Sequence, residues 1–279
     1  MAVISFYTQG KDQTGNTTSA MAYATYLGIE KNKKTLLIST SFNNDEVKTA
    51  FWPQKNNKRS GLFGPNTAAM SDNGIEGLDR IIRSNKISPD IITDYTKVAL
   101  KNRLEILYGY KGEVEQYKMI QTQYSQIVNL ASKYYHTVIV DISEDLERKT
   151  QLELLNASDI VVALSTQKLQ NIENVINSME EGTTLRKTNT ILTLGRYDED
   201  STYNTKNISR NILRQKNEIN SIPYNTLLLE ATQEGKIIDF MLKLLNLKGR
   251  DENTFFLDEI KRLDEDIEKK ILEIQQMMR

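Results

Sequence analysis

Residues 10–18 have the composition and spacing of a loop that holds phosphate. Gly10 and Gly15 stand five positions apart, and threonines follow at 17 and 18. In the full pattern, Gly-x-x-x-x-Gly-Lys-Ser/Thr, backbone N–H groups surround the phosphates, the lysine reaches the outer phosphates and the hydroxyl binds Mg²⁺. This chain has Asn16 at the lysine position and Thr17 at the hydroxyl position. The spacing therefore predicts a phosphate site that lacks its usual cation.

The elements around this loop must place it at the start of a helix. A predicted strand at 3–7 precedes the loop and a predicted helix at 17–29 follows it, so unpaired N–H groups and the helix dipole point at the loop. Further apolar, β-rich runs predict strands at 35–39, 104–109, 137–143, 159–165 and 191–195. Apolar spacing predicts helices at 78–85, 91–98 and 117–134 and one that begins at 152, while the polar stretch 42–73 predicts a loop-rich segment.

This alternation predicts an α/β fold with a doubly wound, mostly parallel sheet flanked by helices. The strands are apolar on both faces, as strands of parallel sheets are. Alternating strands and helices build such a sheet from strand–helix–strand units. We expect one domain over residues 1–250 and a C-terminal helical extension over 251–279.

The C-terminal segment from Phe255 onward predicts one long helix. Its apolar residues recur at spacings of three and four: Phe256, Ile260, Leu263, Ile267, Ile274 and Met277. Three alternatives follow, namely packing on the chain's own sheet, pairing with a partner helix as in a coiled coil, or lying on a membrane surface. The polar face is slightly acidic, which disfavours a membrane surface.

The composition excludes several kinds of site. With no Cys and one His, the chain has no thiolate zinc site, iron–sulfur cluster, disulfide or Cys nucleophile. Lys and Arg total 36 against 37 Asp and Glu, so bulk charge does not support nucleic-acid binding. No apolar run approaches the ~20 residues of a membrane span, and no signal peptide is evident, which predicts a cytoplasmic protein. We interpret His136 as structural and Trp52 as either tucked under its own loop or a surface anchor.

The phosphate loop resembles the deviant Walker A motif of the ParA/MinD family, Lys-Gly-Gly-x-Gly-Lys-Thr-Thr. Four residues match the motif: Lys11, Gly15, Thr17 and Thr18. Three residues depart from it: Asp12 and Gln13 at glycine positions, and Asn16 at the late lysine. Asp12 places a carboxylate in a loop meant for polyanions, where it would either cap the helix or coordinate Mg²⁺.

Five later segments are similar to the family in the same order, and one of them, residues 157–167, resembles the strand that follows the family's acidic segment. Residues 33–43 resemble the segment after the second strand, and 134–146 resemble the Walker B segment with Asp141 at the acidic position. Residues 194–201 resemble the segment near the nucleotide base, and 222–236 resemble the late segment that contains Pro223. The resemblance covers about residues 3–245 and implies a P-loop NTPase-like fold.

The resemblance also implies roles for individual residues. Lys11 would reach the partner's nucleotide across a dimer, and Thr17 with Asp141 would hold Mg²⁺, so Lys11 and Asp141 are the candidate catalytic residues. The candidate nucleotide-binding residues are Gly10, Lys11, Gly15, Asn16, Thr17, Thr18, Arg196 and Pro223. Lys11 as a solvated loop residue and Asp141 as a capping or ion-paired acid remain alternatives. ATP and Mg²⁺ are expected to bind weakly or not at all.

The departures from the motif bear on activity. Ser39 and Ser41 stand where the family's switch I aspartates position water or assist magnesium. Loss of one charge-assisted hydrogen bond through Asn16 would weaken nucleotide binding roughly 10- to 150-fold. Slow hydrolysis with retained binding, a site that binds nothing tightly, and an active ATPase all remain open.

Family members position plasmids, chromosomes, division sites, or pilus and secretion machines, and degenerate loops resemble those of the TadZ/CpaE branch. The sequence therefore predicts a dimeric localisation or assembly scaffold with impaired or absent hydrolysis. The alternative is an active partition-type ATPase that segregates DNA. Expected partners are a second copy and proteins of a pilus, secretion or partition system, with membranes reached only through partners. The expected location is the bacterial cytoplasm, with recruitment to a pole or membrane.

Overall fold

The computed structural model describes residues 1–53, 74–84, 88–210, 219–247, 249 and 251–277. Within these ranges the chain forms a single eight-stranded sheet in the spatial order β3-β4-β2-β5-β1-β6-β7-β8. Its strands are β1 (Ala2–Thr8), β2 (Thr35–Ser39), β3 (Lys97–Leu100), β4 (Leu104–Leu107), β5 (Thr137–Asp141), β6 (Ile160–Ser165), β7 (Thr190–Tyr197) and β8 (Ile219–Pro223). All neighbouring pairs are parallel except β3, which runs antiparallel to β4 at one edge. The predicted fold class is confirmed.

Helices cover both faces of the sheet. They are α1 (Asn16–Tyr26), α2 (Glu46–Phe51), α3 (Ile75–Arg83), α4 (Val114–Gln121), α5 (Tyr124–Ser132), α6 (Arg148–Ala157), α7 (Leu169–Glu181), α8 (Thr205–Ile208), α9 (Thr226–Glu234), α10 (Ile237–Leu245) and α11 (Glu252–Met277). A π-helical turn over Leu27–Lys31 extends α1, and Pro89–Asp94 form a 3₁₀-helix. Apolar side chains of α1, α2 and α9–α11 pack on one face, and those of α3–α7 pack on the other. This burial explains why the strands are apolar on both sides.

The predicted bounds of two helices were wrong. Residues 91–98 do not form one helix, because the 3₁₀-helix ends at Asp94 and β3 then pairs with β4. The helix predicted over 117–134 is two helices, α4 and α5. At the break, the hydroxyl of Thr122 donates to the carbonyl oxygen of Met119 at 2.7 Å, a local bond that competes with the helical pattern.

Six elements lie where the sequence pattern predicts none, namely α2, α7, α8, α9, α10 and β8. Helix α2 falls within the predicted loop 42–73, of which residues 54–73 lie outside the described residues, as does Asn85 in the predicted helix 78–85. Strand β8 has a half-polar sequence, yet it is buried against α11. There the amide of Asn220 donates to Asp266 at 2.9 Å, and the hydroxyl of Ser221 donates to Glu259. Polar strand residues are stable here because α11 supplies their hydrogen-bond partners.

Helix α11 packs on the chain's own sheet, which is the first of the three alternatives. Phe256, Ile260, Leu263 and Ile267 are buried in the core beside β8 and α10. The buried carboxylate of Asp264 accepts a hydrogen bond from the Tyr23 hydroxyl at 2.9 Å and pairs with Lys31 at 2.7 Å. Only the last turns emerge, where Leu272 and Met277 are exposed. No helix within the described residues is both long and apolar enough to span a membrane.

We expect Leu263→Ala to destabilise the fold by about 2–5 kcal/mol, because truncating a fully buried leucine leaves a cavity in the core. Chemical denaturation of both proteins measures the loss in the free energy of unfolding. Leu272→Ala on the exposed turn of the same helix is the control and should stay within about 0.5 kcal/mol of the parent. Equal effects of the two substitutions would show that α11 is not anchored as the structure has it.

Candidate functional site

The phosphate loop follows β1, which lies between β5 and β6 in the middle of the sheet. Ligands of open α/β sheets bind at the carboxyl ends of such strands. Gly15 caps the start of α1 with φ of 77°, and Gly10 has φ of 94°, so both occupy the left-handed region that favours glycine. The loop therefore presents the N-terminus of α1 to the cleft, as the sequence predicts.

Asn16 and Thr17 both contact the carboxylate of Asp141. The Asn16 Nδ2 donates to Asp141 Oδ1 at 2.8 Å and to the carbonyl oxygen of Phe6 at 3.2 Å. The Thr17 Oγ1 donates to the same Oδ1 at 3.2 Å. The structure thus brings the residues at the late-lysine, hydroxyl and acidic positions together at the end of β5.

Asp141 is almost fully buried, and burial raises the pKa of its carboxyl to about 7. Hydrogen bonds from Thr17, Asn16 and Ser39 lower this pKa, while the nearby charge of Glu46 raises it. The amide at position 16 supplies a dipole where a lysine would supply a full positive charge. A buried carboxylate without a cation retains its proton to higher pH.

Ser39 and Ser41 place hydroxyls beside Asp141 where the family resemblance leads one to expect aspartates. Their Oγ atoms lie 3.0 Å apart, and Ser39 Oγ donates to Asp141 Oδ2 at 3.4 Å. Both side chains are buried. This corner of the site can orient a hydrogen bond but carries no negative charge of its own.

A cleft of about 540 Å³ lies over the loop. Two cationic side chains line it, Lys11 and Arg196. Four carboxylates also line it: Asp12, Glu46, Glu144 and Asp145. Among the described residues the cleft is therefore negatively charged, which opposes free polyphosphate and favours a phosphate that arrives with a divalent cation.

Lys11 and Asp12 occupy the exposed half of the loop and differ in their contacts. Lys11 is exposed and forms no hydrogen bond or ion pair with the described residues. Asp12 Oδ2 accepts a hydrogen bond from Asn171 Nδ2 at 2.6 Å, and its Oδ1 lies 3.6 Å from Lys168 Nζ. Asp12 does not cap α1, whose start has no side-chain cap, so the first of the two expectations for this residue is wrong.

Arg196 and Pro223 lie together beside the loop, in a small pocket of about 40 Å³ that Gly15 and Thr18 also line. Arg196 has φ of 48°, an uncommon conformation for an arginine, at a bulge between β7 and β8. Its Nη1 donates to Gln13 Oε1 at 3.4 Å. Backbone strain of this kind concentrates at functional sites.

Sequence reasoning missed three residues that shape this site. A Cβ on Gly195 would lie 2.1 Å from the carbonyl oxygen of Thr14, so the loop rests directly on β7. Glu46 accepts from Thr18 Oγ1 at 3.3 Å, and Asp145 accepts from the Phe42 N–H at 3.1 Å. Asp145 lies four residues beyond Asp141 in a segment that was already singled out, but Glu46 carries no sequence signal because it lies in the predicted loop.

The two remaining singled-out residues lie outside the cleft. Trp52 is half-buried, packs on Phe51, and has the Lys97 ammonium 3.8 Å from the centre of its ring. It packs against the core on the face of the sheet that α1 and α2 cover, and residues 54–73 of its predicted loop lie outside the described residues. His136 precedes β5 and lies at the opposite end of that strand from Asp141, where its backbone N–H donates to Lys34.

The structure is similar to solved structures of ParA and MinD proteins. It superposes on a ParA family ATPase from Chlorobium tepidum with a TM-score of 0.63, 15% identity, and coverage of 85% of this chain and 91% of that one. It superposes on the septum site-determining protein MinD from Pyrococcus horikoshii, complexed with Mg-ADP, with a TM-score of 0.63, 14% identity, and coverage of 96% and 98%. The fold is that of the ParA and MinD ATPases.

A third ParA/MinD-like neighbour is described as a plasmid partition protein from Borrelia burgdorferi bound to AMPPNP. The TM-score is 0.56 at 19% identity, and the match covers 100% of this chain and 99% of that one. No protein-family model matches the chain, and no curated protein matches its sequence. The likeness to ParA and MinD is thus one of fold, and the site of this chain has to be judged on its own residues.

Proposed function

We propose that this chain is a ParA/MinD-like localisation or assembly scaffold that binds Mg-nucleotide weakly and hydrolyses it slowly or not at all. The observation that carries the proposal is the bond between Asn16 Nδ2 and Asp141 Oδ1 at 2.8 Å. An amide occupies the place of the phosphate-contacting lysine and is engaged by the acid that lies nearest to it. Phosphoryl transfer depends on positioned charge, and this pair offers little positive charge to a phosphate.

The described residues fit a magnesium nucleotide without that lysine. Gly15 and the start of α1 offer backbone N–H groups to phosphate, and the oxygens of Thr17 and Asp141 suit Mg²⁺. Within the described ranges, no cluster of three or more acidic or histidine side chains could hold a metal ion. This agrees with Mg²⁺ that is held jointly by one or two side chains and the phosphates. Bound Mg²⁺ would supply the positive charge that Asn16 does not.

Slow or absent hydrolysis follows from a second departure from the family pattern, Ser39 and Ser41 in place of two aspartates. Serine hydroxyls are neutral, so they lack the negative charge with which carboxylates would position the attacking water or assist Mg²⁺. Positioning and electrostatic stabilisation account for most of the rate in such reactions. The cleft therefore combines a phosphate-binding backbone with a weakened chemical apparatus, which is the combination expected of a scaffold.

The proposed function also includes the binding partners of the protein and its location in the cell. We expect a homodimer, with Lys11 directed at the nucleotide of the second copy because it is exposed and unpaired among the described residues. Proteins of a pilus or secretion system, as in the TadZ/CpaE branch, are the expected partners, and they would recruit the scaffold from the bacterial cytoplasm to a pole or membrane. DNA is not favoured, because the net charge is -1.

Calorimetric titration with Mg-ATP tests this function directly, together with light scattering to follow the oligomeric state. We expect weak binding that promotes dimerisation and weakens in Lys11→Ala, with turnover far below the 1–100 s⁻¹ typical of kinases, here about 0.01 s⁻¹ or less. No heat at millimolar Mg-ATP with an unchanged oligomer would leave a scaffold without a nucleotide switch. Rapid turnover would reject the scaffold.

An active partition-type ATPase is the second candidate. The superposition on the Borrelia partition protein, which covers all of this chain, favours it. DNA binding at low salt with a steep loss on salt addition, together with DNA-stimulated hydrolysis, would support this candidate over the scaffold.

A further inference from the structure

Asp12 presents an unusual contact, a carboxylate of the phosphate loop held by another helix. Its Oδ2 lies 2.6 Å from Asn171 Nδ2, and its Oδ1 lies 3.6 Å from Lys168 Nζ. Asn171 is itself held by a bond to Thr166 Oγ1 at 2.8 Å. We call these residues, Asp12, Asn171, Lys168 and Thr166, the Asp12 clamp.

The partners that hold the Asp12 carboxylate lie outside the cleft. Asp12 lines the cleft, but Thr166, Lys168 and Asn171 do not. All three lie at the end of β6 and the start of α7, so the bonds to Asp12 run sideways from the loop. A carboxylate near the first turn of a helix is also favoured by the helix dipole.

An unclamped carboxylate at this position would repel phosphate. Like charges within several ångströms of each other interact strongly where water is partly excluded. Without Asp12, three carboxylates and two cations line the cleft among the described residues, so a further carboxylate turned into the cleft would add to a negative charge that already opposes phosphate. Where the Asp12 carboxylate points therefore matters for how well the loop accepts polyphosphate.

We propose that Asn171 and Lys168 are positioning residues of the nucleotide site, which hold the carboxylate of Asp12 out of the phosphate path so that the loop can accept Mg-nucleotide. This inference rests on the proposed function, because it concerns nucleotide binding in the same cleft. It assigns α7 a part in nucleotide affinity, although no residue of α7 lines the cleft.

The test compares two variants that are expected to change the affinity for Mg-ATP in opposite directions. Asp12→Asn removes the negative charge and keeps the shape, so Mg-ATP should bind about threefold more tightly. Asn171→Ala frees the carboxylate to turn into the cleft, so Mg-ATP should bind about tenfold more weakly. Gln170→Ala, on the exposed side of the same helical turn, is the matched control and should bind as the parent does.

The double variant separates the clamp from a general disturbance of α7. With Asn at position 12 there is no carboxylate to release, so Asn171→Ala should change affinity less than twofold in that background. A structural loss in α7 would instead weaken binding equally in both backgrounds. Calorimetry of the full chain with Mg-ATP measures all five proteins, and thermal unfolding confirms that each is folded.

The outcomes are distinct. Opposite shifts in the single variants, with the Asn171 effect lost beside Asn at position 12, support the clamp. Shifts of the same sign, or effects that add in the double variant, overturn the clamp and leave the proposed function standing. Absence of Mg-ATP binding in the parent and in every variant overturns the clamp together with the nucleotide binding of the proposed function, and leaves only the scaffold role standing.

Discussion

Asn16→Lys is expected to tighten Mg-ATP binding roughly 10- to 150-fold. The new ammonium would add one charge-assisted hydrogen bond to phosphate, worth ~1.5–3 kcal/mol. It would also compensate the buried carboxylate of Asp141, whose side-chain partners among the described residues are the Asn16 amide at 2.8 Å and the hydroxyls of Thr17 and Ser39. Calorimetric titration of the parent and the variant measures the change in the dissociation constant.

Asn16→Met is the matched control for this gain. Methionine has a long, unbranched side chain but no charge, so it tests whether length or charge is responsible. We expect Asn16→Met to bind no more tightly than the parent. Turnover should stay low in Asn16→Lys, because Ser39 and Ser41 remain. A lysine variant that binds like the parent would show that charge at position 16 does not limit affinity.

Asp141→Asn is expected to stabilise the fold at pH 8 more than at pH 5, by a difference of about 3 kcal/mol. The pKa of the buried carboxyl is about 7 in the folded chain, and about 3.9 is usual for an aspartate in an unfolded chain. Between these values the folded state keeps a proton that the unfolded state has released. Stability of the parent therefore falls as pH rises from about 4 to 7, at about 1.4 kcal/mol per pH unit.

The substitution removes this loss, because an amide has no proton to release. Its oxygen can accept from Asn16 and Thr17, and its NH₂ can donate to Ser39, so the hydrogen bonds are preserved. Urea unfolding of both proteins at pH 5 and pH 8 gives the two differences in unfolding free energy. Other carboxyls titrate alike in both proteins and cancel. A difference that is the same at both pH values would contradict the raised pKa of Asp141.

The gain in stability should be accompanied by a loss of metal-dependent binding. An amide is a poorer ligand than a carboxylate for Mg²⁺, so Asp141→Asn should bind Mg-ATP more weakly than the parent. Asn16→Lys and Asp141→Asn both act on the buried carboxylate of Asp141, which has no cationic side-chain partner among the described residues. A lysine at position 16 would compensate the buried charge, and an asparagine at position 141 would remove it.

Local sequence pattern determined the fold class and the place of the phosphate loop. Strands that are apolar on both faces and helices between them leave few arrangements other than a doubly wound sheet, and glycines at 10 and 15 mark where β1 turns into α1. The resemblance to the ParA/MinD family pointed to Asp141, Arg196 and Pro223, which the structure places beside the loop. Each of these residues lies at the carboxyl end of a parallel strand, where ligands of open α/β sheets bind.

What only the tertiary structure decided depends on contacts between distant residues. Strand β8 is half polar, and α11 supplies a hydrogen-bond partner for Asn220. The break between α4 and α5 coincides with a bond from the Thr122 hydroxyl to the carbonyl oxygen of Met119. The partners of Asp12, Lys168 and Asn171, lie more than 150 residues away at the start of α7. A sequence window reads periodicity and spacing, but charge and hydrogen-bond satisfaction depend on which side chains the fold brings within about 3 Å of one another.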